Sequence, residues 1–277
     1  VTQPTDSEPS LRHQASDSGL GKQTGETIVE VDHLSGGYVA QQDILSNVSF
    51  TLTRGQILCV IGQSGCGKST LLRALLGMLP HVNGSIKLFG EPRCDEHRRR
   101  TGMLFQHGAL LGSLTVGDNI ALPVQEHGYR DPKTGKFIHP SKDERDLYVN
   151  SLLKRVGLSG CFNKYPDELS GGMKKRAALC RAIASKAELL LCDEPSSGLD
   201  PIVAAGLDEL LLSVRNDLGI SMVVISHDLA SVKKIADYAI MIDAGQVIAR
   251  GTIDELEGNP LPKVENFFLR KPPKSMD

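Results

Sequence analysis

Short apolar runs alternate with helical stripes through the middle of the chain. Ile57-Leu58-Cys59-Val60-Ile61 is continuously apolar and stops at Gly62, the pattern of a strand covered on both faces of a parallel sheet. Leu71, Leu72, Leu75, Leu76 and Leu79 then recur at helical spacing and predict one amphipathic helix. Further strands are expected at Met103–Phe105, Leu189–Cys192 and Met222–Ile225. A terminal pair is expected at Ala239–Ile242 and Val247–Ala249, joined through Asp243-Ala244-Gly245-Gln246. Helical patterns separate most of these strands, so the fold class is α/β.

The polar stretches set the edges. Residues 1–26 hold only Val1, Leu11, Ala15 and Leu20 as clear apolar side chains, too few to offset ordering entropy, and read as a disordered tail. Residues 27–256 form the main domain, and 257–277 a C-terminal extension with one apolar cluster, Phe267-Phe268-Leu269. That cluster could cap the chain's own core or dock on a neighbour. Glu126–Asp146, with two prolines and two glycines, reads as a surface insertion.

Composition narrows the classes. The 277 residues suit one large α/β domain or two small ones. With 31 Lys+Arg against 33 Asp+Glu, there is no basic footprint for nucleic acid. No uninterrupted apolar stretch is long enough for a membrane helix. The six cysteines show no metal-ligand spacing and read as reduced thiols in a reducing compartment.

Candidate chemistry begins at Gly62. Residues Gly62-Gln63-Ser64-Gly65-Cys66-Gly67-Lys68-Ser69-Thr70 satisfy G-x-x-x-x-G-K-[ST]. Glycines let backbone N–H groups turn around an anion, and the following helix aims its positive end at phosphates. Lys68 would reach the β- and γ-phosphates of ATP, and the Ser69 hydroxyl would join a Mg²⁺ shell. The motif lies between a buried strand and an amphipathic helix, the context that such a loop requires. At Leu189–Cys192 an apolar run delivers Asp193 and Glu194 to a strand end. Asp193 would hold Mg²⁺, and Glu194 would take a proton from an attacking water. Alone, this pair is an ordinary charged turn; beside a phosphate loop it is the second half of a nucleotide site.

Leu169-Ser170-Gly171-Gly172-Met173 opens a basic, Ala-rich helix and forms a second amide cluster suited to an anion. One nucleotide does not need two such clusters within one chain. Over about residues 28–256 the chain resembles the ATP-binding cassette (ABC) ATPases. The resemblance implies a P-loop NTPase cassette: a RecA-like core, an antiparallel β subdomain and an inserted helical subdomain at about 109–178. It also implies roles in order along the chain. Gln106 would sense Mg²⁺ and the transport partner. Ser197-Gly198-Leu199-Asp200 would cross between two cassettes, and His227 would contact the γ-phosphate. Tyr38, which lies 24 residues before Gly62, would stack on adenine. Ser170, Gly171 and Gly172 would bind the γ-phosphate held by a second copy.

Met173 departs from the usual glutamine and points to one branch. Leu169–Met173 followed by Lys174-Lys175-Arg176-Ala177-Ala178-Leu179 resembles the Mla-type ATPases of MCE-associated lipid transport. So do Met103–Leu111, Pro123–His127 and Asp193–Ile202. That branch implies an ATP-sandwich homodimer bound to a membrane permease at the cytoplasmic face of a bacterial inner membrane. It further implies a periplasmic MCE-domain protein, in some members a STAS-domain regulator, and phospholipid moved between inner and outer membranes to maintain lipid asymmetry. An ABC transporter for another cargo, such as an amino acid, and a soluble ABC protein are the alternatives. Insertion 128–146 and tail 1–26 have no counterpart in the branch.

Overall fold

The computed structural model describes residues 25–131 and 133–270. Residues 1–24 of the expected tail and 271–277 of the extension lie outside the described residues. Strands β1 (Thr27–Gly37) and β2 (Leu45–Thr53) pair antiparallel, and β3 (Ile57–Ile61) follows, buried throughout. Helix α1 (Lys68–Leu75) is shorter than the leucine stripe implies. Gly77 turns left-handed at φ 71° and the Met78 N–H reaches back to the Arg73 carbonyl, which ends the helix. Leu79 is therefore buried from the turn beyond it.

Strands β4 (His81–Leu88) and β5 (Glu91–Pro92) complete an antiparallel sheet ordered β2-β1-β4-β5. Next come β6 (Thr101–Leu104) and a largely helical stretch: α2 (Val116–His127), a hairpin of β7 (Tyr129–Arg130) and β8 (Phe137–Ile138), α3 (Lys142–Arg155) and α4 (Gly171–Ile183). Phe105, expected to end its strand, lies one residue beyond β6 and is exposed. The expected surface insertion, Glu126–Asp146, is thus the end of α2, a hairpin and the start of α3. Its strands are too short for periodicity to show. A reciprocal cap starts α3, with the Ser141 hydroxyl accepting from the Glu144 N–H and the Glu144 carboxylate accepting from the Ser141 N–H.

The remaining elements are β9 (Leu189–Asp193), α5 (Pro201–Leu218), β10 (Ser221–Ile225), α6 (Leu229–Ile235), β11 (Tyr238–Asp243), β12 (Gln246–Gly251), α7 (Ile253–Glu257) and α8 (Pro262–Phe268). They build a six-stranded sheet ordered β12-β11-β3-β10-β9-β6, parallel except for β12.

Alternation explains why this sheet is buried on both faces. Ile57, Cys59 and Ile61 of β3 join one core with the helices α2–α5, whereas Leu58 and Val60 join another with α1 and the antiparallel sheet. Leu190 and Cys192 of β9 face the first core, and Leu189 and Leu191 the second. Each large aliphatic side chain contributes about 1.5–3 kcal/mol on full burial. The strands that deliver the site are therefore clamped from both sides. At the other end of the chain, Phe267 and Phe268 pack against the first core through α8, which places them as a cap on their own domain, with Leu269 exposed.

Candidate nucleotide-binding active site

The loop between β3 and α1 is shaped by its glycines. At Gly62, φ is 145° and a Cβ would stand 2.2 Å from the Ile242 carbonyl oxygen, so no other residue fits. Gly67 caps α1 at φ 110° with no side-chain cap, which leaves the first amides of the helix free to meet an anion. Lys68 is buried, and its ammonium donates to the carbonyls of Gly62 (2.9 Å) and Gln63 (2.6 Å), folded across the loop beside the Cys66 thiol. Burial pushes that thiol upward in pKa, against the pull of Lys68. A cavity of about 340 Å³ is lined by Ile44, Ser64, Gly65, Lys68, Ser69, Thr70, Gln106 and Glu194, among others.

Residues far apart in sequence meet there. The Ser69 hydroxyl donates to Asp193 Oδ1 at 3.0 Å. Burial raises the Asp193 pKa, and the Ser69 hydrogen bond pulls it back. Glu194 sits in the left-handed region at φ 46°, its N–H held by the Ile225 carbonyl at 3.1 Å. A non-glycine residue in that region is strained, and this strain aims the carboxylate out of the strand end. Glu194 Oε1 lies 3.1 Å from His227 Nδ1, and Oε2 accepts from Gln106 Nε2 at 3.2 Å. Gln106 Nε2 also reaches Ser197 Oγ at 3.3 Å.

Other expected residues are placed differently. Ser170 caps α4, its hydroxyl accepting from the Met173 N–H, and neither it nor Gly171 or Gly172 lines the cavity that holds Lys68. Asp200 caps α5, accepting from the N–H groups of Ile202 (3.1 Å) and Val203 (3.0 Å). Tyr38 follows β1 and accepts from Arg73 Nη1 at 2.6 Å, with that guanidinium 5.7 Å from the ring centroid. It too stands outside the lining of the small cavity. Two partners were missed by sequence reasoning. Arg73, one turn beyond Ser69, orients Tyr38. Lys175 is buried and donates to the Gln106 carbonyl, which ties α4 to the glutamine; burial lowers its pKa. Nothing in the sequence set Lys175 apart from Lys174, Arg176 and Arg181 of the same basic helix.

Strand-loop-helix, a Ser–Asp contact across it and a strand-end glutamate define an NTP-hydrolysing cassette, and the comparisons name the family. The ABC transporter family model matches residues 45–197. The chain belongs to the ABC transporter ATPases. The cassette is 39% identical over 232 residues to the intermembrane phospholipid transport ATP-binding protein MlaF of Escherichia coli, covering 81% of this chain and 82% of that protein. It is 35% identical over 244 residues to the methionine import ATP-binding protein MetN of Campylobacter jejuni, covering 83% and 73%. Among solved structures it resembles CbiO1 of Clostridium perfringens, part of an ABC transporter complex, at TM-score 0.74 and 25% identity, over 89% of this chain and 100% of that one. It also resembles a dimeric cassette in a post-hydrolysis state with ADP and Pi, at TM-score 0.69 and 25% identity, over 82% and 99%. This cassette is accordingly an ATPase subunit of an ABC transporter. The P-loop cassette expected from sequence is the fold observed.

A second, larger cavity of about 740 Å³ shares Glu194 with the first and runs past Ser196–Leu199, His227, Asp208 and Phe267. Asp208 is 3% exposed; its Oδ2 accepts from Ser231 Oγ at 2.8 Å, while Oδ1 is the one buried side-chain oxygen or nitrogen without a partner among the described residues. Desolvation raises its pKa, with Ser231 opposing. Among the described residues no helix is long and apolar enough to cross a membrane.

Proposed function

We propose that two copies of this cassette close head to tail around two ATP molecules and drive a membrane permease that moves phospholipid between membranes. One observation carries the dimer: Ser170–Gly172, the second anion-binding helix start, stands outside the cavity lined by Lys68, Ser69 and Glu194. A complete site then needs that helix start from a second copy. The dimeric ADP-bound relative and CbiO1, part of an ABC transporter complex, support the same assembly.

In this reading the loop amides of Gly62–Thr70 and the Lys68 ammonium cradle the phosphates. Ser69, Asp193 and Gln106 would hold Mg²⁺, which supplies positive charge to the phosphate oxygens when bound. The donors fit a hard cation: a hydroxyl, one carboxylate and an amide oxygen. Glu194 accepts the proton of the attacking water, His227 steadies it and contacts the γ-phosphate, and Tyr38 stacks on adenine. Asp200 and Ser197 lie at the crossing between copies. The permease would meet the helical region 109–178 near Gln106, and the cassette would sit at the inner face of the membrane.

Phospholipid is favoured by the Mla-type run Leu169–Leu179 together with the 39% identity to the phospholipid-transport protein. The likeness to methionine importers keeps an amino-acid cargo as the second reading. The test is purification of the tagged chain from detergent-solubilised membranes, with mass spectrometry of bound proteins and lipids. A permease with an MCE-domain protein, with or without a STAS-domain subunit, and bound phospholipid supports the lipid reading. A methionine-type permease overturns the cargo and keeps the ATPase; recovery on ribosomes or DNA overturns both.

A further inference from the structure

Away from the nucleotide loop, a cavity of about 460 Å³ opens between Arg130 of the β7–β8 hairpin, α3, the end of α4, the start of β9 and the end of α5. This volume is in the range of small-molecule sites. Its floor is apolar: Leu152, Ile183, Ala187 and Ile220 are each at most 4% exposed. Its rim is cationic. Arg54, Arg130, Arg155 and Lys186 line it, against Glu188 and Asp217 as the acidic lining residues.

Both carboxylates are already engaged. Glu188 pairs with Arg54 (3.0 Å), Arg100 (2.6 Å) and Arg130 (3.0 Å), and Asp217 with Arg155 (2.6 Å). Arg54 is also held by Glu26 at 2.7 Å, so three carboxylates serve four guanidiniums and one ammonium, and positive charge is left over. At the end of α4, Ser185 O accepts from the Arg130 N–H and Ile183 O from the Lys186 N–H.

Lys186 is the unusual member. It holds a left-handed backbone, φ 56°, at a helix-terminating position where glycine or asparagine is the common choice. Its ammonium has no carboxylate within ion-pair distance among the described residues. It rests 3.9 Å from the Tyr129 ring centroid and 5.9 Å from that of Tyr148. Asp131 acts on it only from farther away, and desolvation lowers its pKa. A strained backbone that keeps a lysine over two aromatic rings at a cavity mouth is a feature that packing alone does not require.

We propose that this cavity binds a small amphiphilic organic anion. Its apolar body lies on Leu152, Ile183, Ala187 and Ile220, and its acid group faces Lys186, Arg130 and Arg155. The position has mechanical leverage. Glu188 immediately precedes β9, whose other end carries Asp193 and Glu194, and Ile183 ends the helix that Ser170 starts. An occupant touches the far ends of both elements that face nucleotide.

The test is a fluorescence titration of the full-length chain with 8-anilinonaphthalene-1-sulfonate, an apolar aromatic anion, at saturating Mg-ADP so that the nucleotide site is filled. A saturable site is expected that octanoate displaces and octanol does not. Lys186→Asn, which accommodates the left-handed backbone, should weaken the dye at least tenfold while circular dichroism and thermal unfolding match the parent. Ser151→Trp, at the rim, should block it without touching the charges. Unchanged affinity in both variants, equal displacement by octanol, or loss of the dye on adding Mg-ADP overturns the proposal. None of these outcomes bears on whether the chain hydrolyses ATP.

Discussion

His227 Nδ1 stands 3.1 Å from Glu194 Oε1 while Gln106 Nε2 stands 3.2 Å from Oε2 of the same carboxylate. The glutamate is gripped from both sides by residues of two other strand ends. Its left-handed backbone at φ 46° adds a third constraint. A carboxylate held this way loses little freedom when water and phosphate arrive, which is the condition for an effective base.

Glu194→Gln keeps the shape and both neighbours but would remove the proton acceptor proposed for the attacking water. Steady-state ATP turnover should fall about 10²–10⁴-fold, with ATP affinity by equilibrium binding within a few-fold of the parent. Normal turnover in this variant would remove Glu194 from the role of base.

Lys175→Met preserves length and burial while deleting the donor to the Gln106 carbonyl. The unpaired carbonyl costs about 1–3 kcal/mol, and the cost falls on the segment after β6. Amide exchange over residues 105–109 should accelerate roughly tenfold or more, with Arg181 still holding Gly108 and Ala109 through their carbonyls. Unaltered exchange there would show that Lys175 merely fills space.

Asp208→Asn tests the buried acid between α5 and α6. Its native pKa is raised by burial, so the native state binds more protons than the unfolded state between the two pKa values. Stability is then fully present below the ordinary carboxylate pKa and is lost as pH rises through the raised native value. The amide cannot ionise, so the variant should lose this slope. At pH 8, where the parent holds a buried ionised carboxylate, the variant should be the more stable, with the gap narrowing toward pH 4. Denaturant unfolding at both pH values measures it; a gap independent of pH would refute the assignment.

Gly62→Ala places a Cβ 2.2 Å from the Ile242 carbonyl oxygen at φ 145°. Backbone strain alone costs on the order of 1–3 kcal/mol, and the clash adds to it. Thermal unfolding should drop by at least several degrees for a chain of this size, and nucleotide affinity should fall with it. Gly65→Ala is the control, since nothing lies within 4 Å of its Cβ and only the strain of φ 79° remains.

Much of this protein was legible in the residue order. The run Ile57–Ile61, the glycines and lysine that follow it, and the two carboxylates after Leu189–Cys192 each carry their meaning locally. A strand buried on both faces must be apolar throughout, and a loop that wraps phosphate must contain glycine at positions where a Cβ cannot fit. Family motifs extended that reading to Gln106, Ser170 and His227. Less legible were the β7–β8 hairpin, too short for a period, and the end of α1, where Gly77 outweighed the leucine stripe.

Tertiary structure alone decided the rest. That Lys175 holds Gln106, that Arg73 holds Tyr38, that Glu188 gathers three guanidiniums and that Asp208 is left with an orphan oxygen are meetings across tens of residues of chain. Charged side chains on helices usually face water, so their pattern in sequence carries no sign of which will be turned inward. Only the packing of the helices against both faces of the six-stranded sheet chooses them, because a buried polar group must take whatever partner that packing brings within reach.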